Sequence, residues 1–214
     1  MSQNIGKKAV TRTVGQTLVG AAVGAGGAMI FFALIDDTDL DLADPSRVLA
    51  IVAGLIYAIS GLFVAIGASA PRLGARFLNV EDADELREQR RLLAESSVGC
   101  VLVGLVLLVL AIAGPDGIVS REAAAVVVAL SIATIFAMSV RSMSRFDELM
   151  RRISIEASAF TLHASLVLLG GWAALAHLEY VPWIGPLAWI SALALLELLA
   201  IFWVSGKRGL LKQR

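Results

Sequence analysis

The sequence contains very few of the side chains that most enzymes use for chemistry. It has one cysteine, Cys100, and two histidines, His163 and His177, in 214 residues. A single cysteine excludes a disulfide within the chain and leaves a zinc site without its usual cluster of ligands. Neither a nucleophile-elbow motif nor a phosphate-binding glycine loop occurs in the sequence. These absences argue against a hydrolase, a nucleotide-binding enzyme and a zinc enzyme, so we expect a protein without enzymatic activity.

Long apolar runs are the dominant feature of the chain. Hydrophobic residues make up 58% of the sequence, and the mean hydropathy is +0.81. A soluble domain is about 45–50% apolar, and a helix of roughly 20 apolar residues crosses a bilayer. The sequence therefore predicts an all-α polytopic membrane protein, one bundle over residues 1–214 with six transmembrane helices at about 13–35, 48–70, 92–113, 123–140, 157–178 and 183–204.

The basic residues are distributed unequally between the two predicted sides of the membrane. Of the 18 Lys and Arg residues, 16 fall at the termini or in the second and fourth loops, and only Arg47 and Arg121 lie on the other side. Basic loops remain in the cytoplasm during insertion. The pattern predicts a bacterial inner-membrane protein with both termini cytoplasmic. The basic loops are short and also acidic, so we expect them to contact lipid headgroups and not nucleic acid.

An internal repeat links the third and fifth predicted spans. Residues 90–97 (RRLLAESS) match residues 151–158 (RRISIEAS) at an offset of 61, and residues 84–86 match residues 147–149. The repeat predicts a duplicated helical hairpin, formed once by spans three and four and once by spans five and six. Each copy enters the membrane from the same side.

The repeated charges have two possible roles. Arg91 and Glu95 are four residues apart, as are Arg152 and Glu156, so each pair lies on one helix face. Both pairs occur where the chain enters the headgroup region. They are predicted either to anchor the helices at the interface or to form a surface on which a partner protein docks.

One copy of the repeat carries a resemblance. The string from Arg145 to Ala157, RFDELMRRISIEA, resembles the D-E-[FL]-x-R-R-I-x-x-E-A block of small, uncharacterised bacterial multi-pass membrane proteins. The resemblance covers about a dozen residues and the hairpin around them. It implies a bacterial membrane location and no particular activity.

Two polar residues lie within the predicted spans at a similar depth. His163 and Glu197 are each 17 residues from Tyr180, near the turn between spans five and six. A charged group in a bilayer is costly, so the two side chains are predicted to pair, either as a structural hydrogen bond or as a site that carries or senses a proton. A third alternative is that Glu197 is an unpaired, protonated acid near a thinned interface. His163 and His177 are 14 residues apart on one predicted helix face, which leaves open a haem site that takes further ligands from a second copy of the chain.

Small residues in the first span predict close helix packing. Gly20 and Gly24 have the spacing of a small-residue interface, which favours packing between spans one and two or between two copies of the chain. Span six is rich in leucine, and we expect much of it to face lipid.

Three functions remain open from the sequence. The first is an accessory or assembly subunit that acts through contacts with lipid, with a membrane-protein partner or within a homo-oligomer. The second is a small proton-coupled transporter or channel that uses Glu197 and His163. The third is a haem-binding redox subunit of the membrane.

Overall fold

The computed structural model describes residues 24–29, 33, 44–70, 74, 83–114 and 117–210. The chain divides into two compact units, Met1–Thr38 and Asp39–Arg214. In the first unit, residues 24–29 are helical and include Gly24. Gly20 and most of the first predicted span lie outside the described residues, so the packing role of Gly20 and Gly24 stays a prediction.

The second unit is built from helices. A π-helix, Leu166–Gly170, joins α4 (Glu148–Ser165) to α5 (Gly171–His177), so these two continue as one long helix over residues 148–177. Five helices are long and apolar enough to cross a membrane, and they correspond to the second to sixth predicted spans. The all-α membrane class is therefore confirmed. The described helices are α1 Pro45–Ser69, α2 Ala83–Ile112, α3 Arg121–Met143, α4 Glu148–Ser165, α5 Gly171–His177 and α6 Pro186–Lys207.

Polar side chains mark where several helices begin. The Asp44 carboxylate accepts a hydrogen bond from the Ser46 amide at 2.8 Å, and Pro45 occupies the first turn of α1. The Asp147 carboxylate accepts from the Met150 amide at 2.7 Å at the start of α4. Such caps satisfy amide groups that have no partner inside the helix. Because α2 and α4 begin about nine residues before the predicted spans, the charged repeats lie on the same helices as the apolar runs that follow.

Helices α1 and α2 form the most extensive helix–helix contact of the second unit. A Cβ atom on Gly61 would lie 2.7 Å from the Ser97 carbonyl oxygen, and a Cβ on Gly104 would lie 2.7 Å from the Gly54 oxygen. Only glycine permits this approach of the two backbones. In lipid, where burial of apolar surface gives little net gain, such close van der Waals packing drives helix association.

Helix α6 occupies a central place, in contact with α1, α2 and α4. The Tyr57 hydroxyl of α1 donates a hydrogen bond to the Ala194 carbonyl oxygen of α6 at 2.7 Å. Leu195 and Leu198 pack against the buried Tyr57 and Leu107. The expectation that leucine-rich α6 faces lipid therefore applies to only part of its surface, which includes the exposed Leu193 and Leu199.

The outer helices leave a gap between them. Helix α3 packs mainly against α2, and α4 packs mainly against α6 through Ile153, Ala157, Ala200 and Val204. Since α2 and α6 are also in contact, the four helices run in the spatial order α3, α2, α6, α4. A cleft remains between α3 and α4, with α2 and α6 behind it.

We expect Gly104→Ala to lower the thermal stability of the protein in detergent. The added methyl group would meet the backbone of α1, and overpacking of this kind costs about 1–3 kcal/mol. Gly99→Ala on the same helix is the matched control, because no atom of another described helix lies within 4 Å of the position that its Cβ would take. Thermal unfolding followed by circular dichroism compares the two variants. Equal melting temperatures would contradict the close contact between α1 and α2.

Candidate functional site

The α3–α4 cleft has a volume of about 620 Å³ and is lined by both polar and apolar side chains. Two carboxylates, Glu95 of α2 and Glu197 of α6, lie on its wall. Serine hydroxyl groups on the wall come from three helices. They are Ser96 of α2, Ser139 and Ser142 of α3, and Ser154 and Ser158 of α4. A volume of this size is typical of small-molecule sites in proteins.

Glu197 lies deep in the apolar part of the protein. It is ten residues before the end of α6 at Lys207, a distance of about 15 Å along the helix axis. Its side chain is half-buried, and no described residue donates a hydrogen bond to it or forms an ion pair with it. A charged carboxylate without a partner is costly at this depth. The cleft is therefore the part of the structure through which a proton or a bound cation can reach Glu197.

His163 does not join Glu197. The His163 side chain is exposed, and its Nδ1 atom is 2.7 Å from the Ala159 carbonyl oxygen of its own helix. The buried face of α4 contains Ile153, Ala157 and Thr161, and a residue two positions after Thr161 points away from that face. The predicted pair is thus not formed in this structure, because equal depth in the membrane does not fix the rotation of each helix.

The two histidines do not share a helix face either. The π-helix Leu166–Gly170 lies between His163 and His177, and a π turn holds one more residue than an α turn. The extra residue rotates the following helix by about 100° relative to a continuous α-helix. The spacing of 14 residues therefore does not bring both imidazoles to one side. Among the described residues, no group of three or more metal-ligating side chains is found.

An ion pair links α2 to α3, the two helices of one hairpin, at the end of the bundle where α2 begins and α3 ends. The Glu95 carboxylate accepts hydrogen bonds from the Ser142 hydroxyl at 2.7 Å and from Nη1 of Arg145 at 2.5 Å. Nε of Arg91 lies 3.4 Å from the same carboxylate, so the predicted pair of Arg91 with Glu95 is present. Arg145 follows the last turn of α3, so this contact ties α2 to α3 across the hairpin.

A second ion pair links the two helices of the other hairpin, α4–α5 and α6, in the same way. The Glu156 carboxylate of α4 accepts two hydrogen bonds from Arg208, which follows α6, and the one from Nε measures 3.2 Å. The predicted pairing of Arg152 with Glu156 is replaced, since Arg152 donates to the Glu148 carboxylate at 2.8 Å. Glu156 is already occupied by Arg208, and Arg152 turns toward the preceding helical turn. We call the end of the bundle with Glu95, Arg145, Glu156 and Arg208 the basic end.

Sequence reasoning identified Glu95, Glu156 and Glu197 but missed the serines and the two arginines that follow α3 and α6. A usable signal was present in the spacing. Ser139 and Ser142 are three residues apart, and Ser154 and Ser158 are four apart, so each pair lies on one helix face where a charged segment meets an apolar run. Hydroxyl groups aligned in this way in two neighbouring spans indicate a shared polar surface.

Comparison with known proteins gives no relative from which a function can be transferred. No protein-family model, no curated protein and no solved structure matches this chain. The cleft and the ion pairs at the basic end are therefore the features from which a function has to be inferred.

We expect Glu95→Gln and Arg145→Gln each to lower the melting temperature in detergent, and the double variant to lower it little further. The two side chains contact each other, so their effects on the free energy of unfolding should be strongly non-additive. Glu148→Gln is the control, because its pair with Arg152 is exposed and lies within one helix. Additive losses in the double variant would show that Glu95 and Arg145 do not interact.

Proposed function

We propose that this chain is an integral protein of the bacterial inner membrane that acts through contacts with lipid or with a membrane-protein partner, as an accessory or assembly subunit. The observation that carries the proposal is the exposure of α3 and of the long α4–α5 helix. Each packs mainly against one neighbour and leaves a broad apolar face open. The exposed side chains include Leu130 and Phe136 of α3 and Phe160, Leu162 and Val167 of the α4–α5 helix.

The proposed topology has six spans, with the basic end and both termini in the cytoplasm. Of the Lys and Arg residues that the structure describes, all but Arg47 and Arg121 belong to the segments at this end, in accord with the preference of basic residues for the cytoplasm. The two hairpins are proposed to be copies of one unit. Support comes from the equivalent pairs Glu95–Arg145 and Glu156–Arg208, in which the glutamates are 61 residues apart and the arginines 63. Arg91, Glu95, Arg152 and Glu156 then anchor the hairpins at the cytoplasmic interface.

Partner contacts can be tested by cross-linking in native membranes. In a Cys100→Ala background, we expect Phe136→Cys to give a discrete adduct with a maleimide cross-linker, because this residue is 68% exposed on the free face of α3. Leu199→Cys, which is 62% exposed on α6, is the control and should give none. The mass of the adduct distinguishes a second copy from another protein. A protein that purifies alone in mild detergent and gives no adduct at α3 or α4–α5 would refute a partner-dependent function.

A second candidate function is a small proton-coupled transporter or channel. The observation that favours it is the position of Glu197 on the wall of the cleft, at a depth where a carboxylate is uncommon. Carboxylates that line cavities within the membrane mark ion and proton pathways in many transporters. In this structure His163 makes no contribution to the cleft, so Glu197 alone would carry the proton.

Proton flux in proteoliposomes tests this candidate. We expect Glu197→Gln to abolish proton uptake by vesicles that contain the protein and a trapped pH indicator, because an amide cannot release a proton. His163→Gln is the matched control and should leave the flux unchanged, since His163 is exposed and bonded to its own helix. Absence of flux with the unmodified protein, under several ion gradients, would remove this candidate and leave the accessory role.

A further inference from the structure

We infer that the α3–α4 cleft binds a small amphiphilic molecule that carries one protonated amine, with the ammonium group held by Glu197. The inference rests on the second candidate function, because it names the class of molecule that such a transporter would recognise.

The positive charge of the ligand follows from the environment of Glu197. No described residue pairs with this carboxylate, although it lines a cavity that a ligand can enter. A carboxylate in an apolar environment is stabilised most by an opposite charge that also donates hydrogen bonds. An ammonium group provides both. An anionic ligand would add a second negative charge beside Glu197 and is therefore disfavoured.

The charges on the cleft wall favour a ligand with a single positive charge. Glu95 is the other carboxylate on the wall, and it is already neutralised by Arg145 and Arg91. Arg145 contacts Glu95 on the cleft wall, so it would repel a second cationic group near Glu95. Among the described residues of the wall, Glu197 is then the one carboxylate left for the ligand, so a monoamine should bind more tightly than a diamine of the same length.

The hydroxyl groups specify an amine with N–H donors. Ser154 and Ser158 on α4 and Ser139 on α3 face the cleft together with Glu197. Their oxygen atoms are acceptors, and the N–H groups of a primary ammonium are donors that a quaternary ammonium lacks. We therefore expect a primary amine to bind better than its trimethylated analogue, although both carry the same charge.

The rest of the cleft wall is apolar and favours a ligand with an apolar body. Leu92, Ile135, Met138, Ile155 and Ile201 line the cleft around the polar groups. The volume of about 620 Å³ suits a molecule with one or two aromatic rings or a short alkyl chain. Since α3 and α4 have few contacts with each other, the space between them gives such a molecule a route of entry from the bilayer.

Dansylcadaverine is a suitable probe, because it joins a fluorescent aromatic body to one primary amine. With the full-length protein in a neutral detergent, we expect saturable binding reported by increased fluorescence. Glu197→Gln should weaken binding by about ten- to hundredfold, the range expected for loss of a hydrogen bond to a charged group. Glu179→Gln, in the exposed turn after α5, is the control and should bind as the unmodified protein does.

Changes to the ligand and to the cleft separate charge from shape. The N-acetylated probe is neutral and should bind the unmodified protein as weakly as Glu197→Gln binds the amine. Ser139→Trp should block binding by filling the cleft while Glu197 is retained. Val140→Trp is its matched control, because Val140 neighbours Ser139 but is 57% exposed and does not line the cleft. Gel filtration verifies that each variant is folded.

The outcomes distinguish the binding site from the transport function. Binding that depends on the ammonium and on Glu197, without flux in proteoliposomes, would support the site and refute transport. Flux that depends on Glu197, with dansylcadaverine binding that is insensitive to both acetylation and Glu197→Gln, would support transport and overturn the amine site. Failure of the unmodified protein to bind the amine better than its acetylated form would also overturn the inference.

Discussion

The fold depends on the close approach of α1 and α2 through Gly54, Gly61 and Gly104. In a bilayer, apolar side chains gain little by leaving lipid for protein, so helices associate through tight packing and hydrogen bonds. The glycines let the two backbones touch, and Tyr57 on the same α1 helix donates a hydrogen bond to α6. Three helices are thereby joined into a central unit. The two outer helices, α3 and the α4–α5 helix, are attached to it by one main contact each.

The ion pairs at the basic end complete this arrangement. Each joins a carboxylate in the first half of one long helix to an arginine just after the end of the helix that returns beside it. The pairs tie each hairpin at one end but place no bond between α3 and α4. Two hairpins closed separately, and joined only through α2 and α6, leave a cleft whose wall includes polar groups from all four helices. Through this cleft, a ligand, a lipid or a proton can reach Glu197.

Much of the fold follows from the sequence, because lipid requires every spanning segment to satisfy its own backbone hydrogen bonds. The positions of the second to sixth spans, and the pair of Arg91 with Glu95, were predictable from apolar length and charge spacing. The partner of Glu156 was not, because Arg208 takes the place predicted for Arg152. The predicted pair of Glu197 with His163 is not formed. The equal distance of the two residues from the turn estimated their depth, but depth leaves the rotation of each helix undetermined. The π turn after Ser165 changes that rotation further, and no sequence motif predicts this turn.

By itself, the amino-acid sequence determined that this protein is helical, that it belongs in a membrane and that a few charged side chains lie at costly positions. These properties depend on the length and composition of single segments. Only the tertiary structure decided which helices touch, that Arg145 and Arg208 neutralise Glu95 and Glu156, and that Glu197 faces a serine-lined cleft. Those outcomes depend on how side-chain faces from distant segments fit together, and local spacing does not specify that fit.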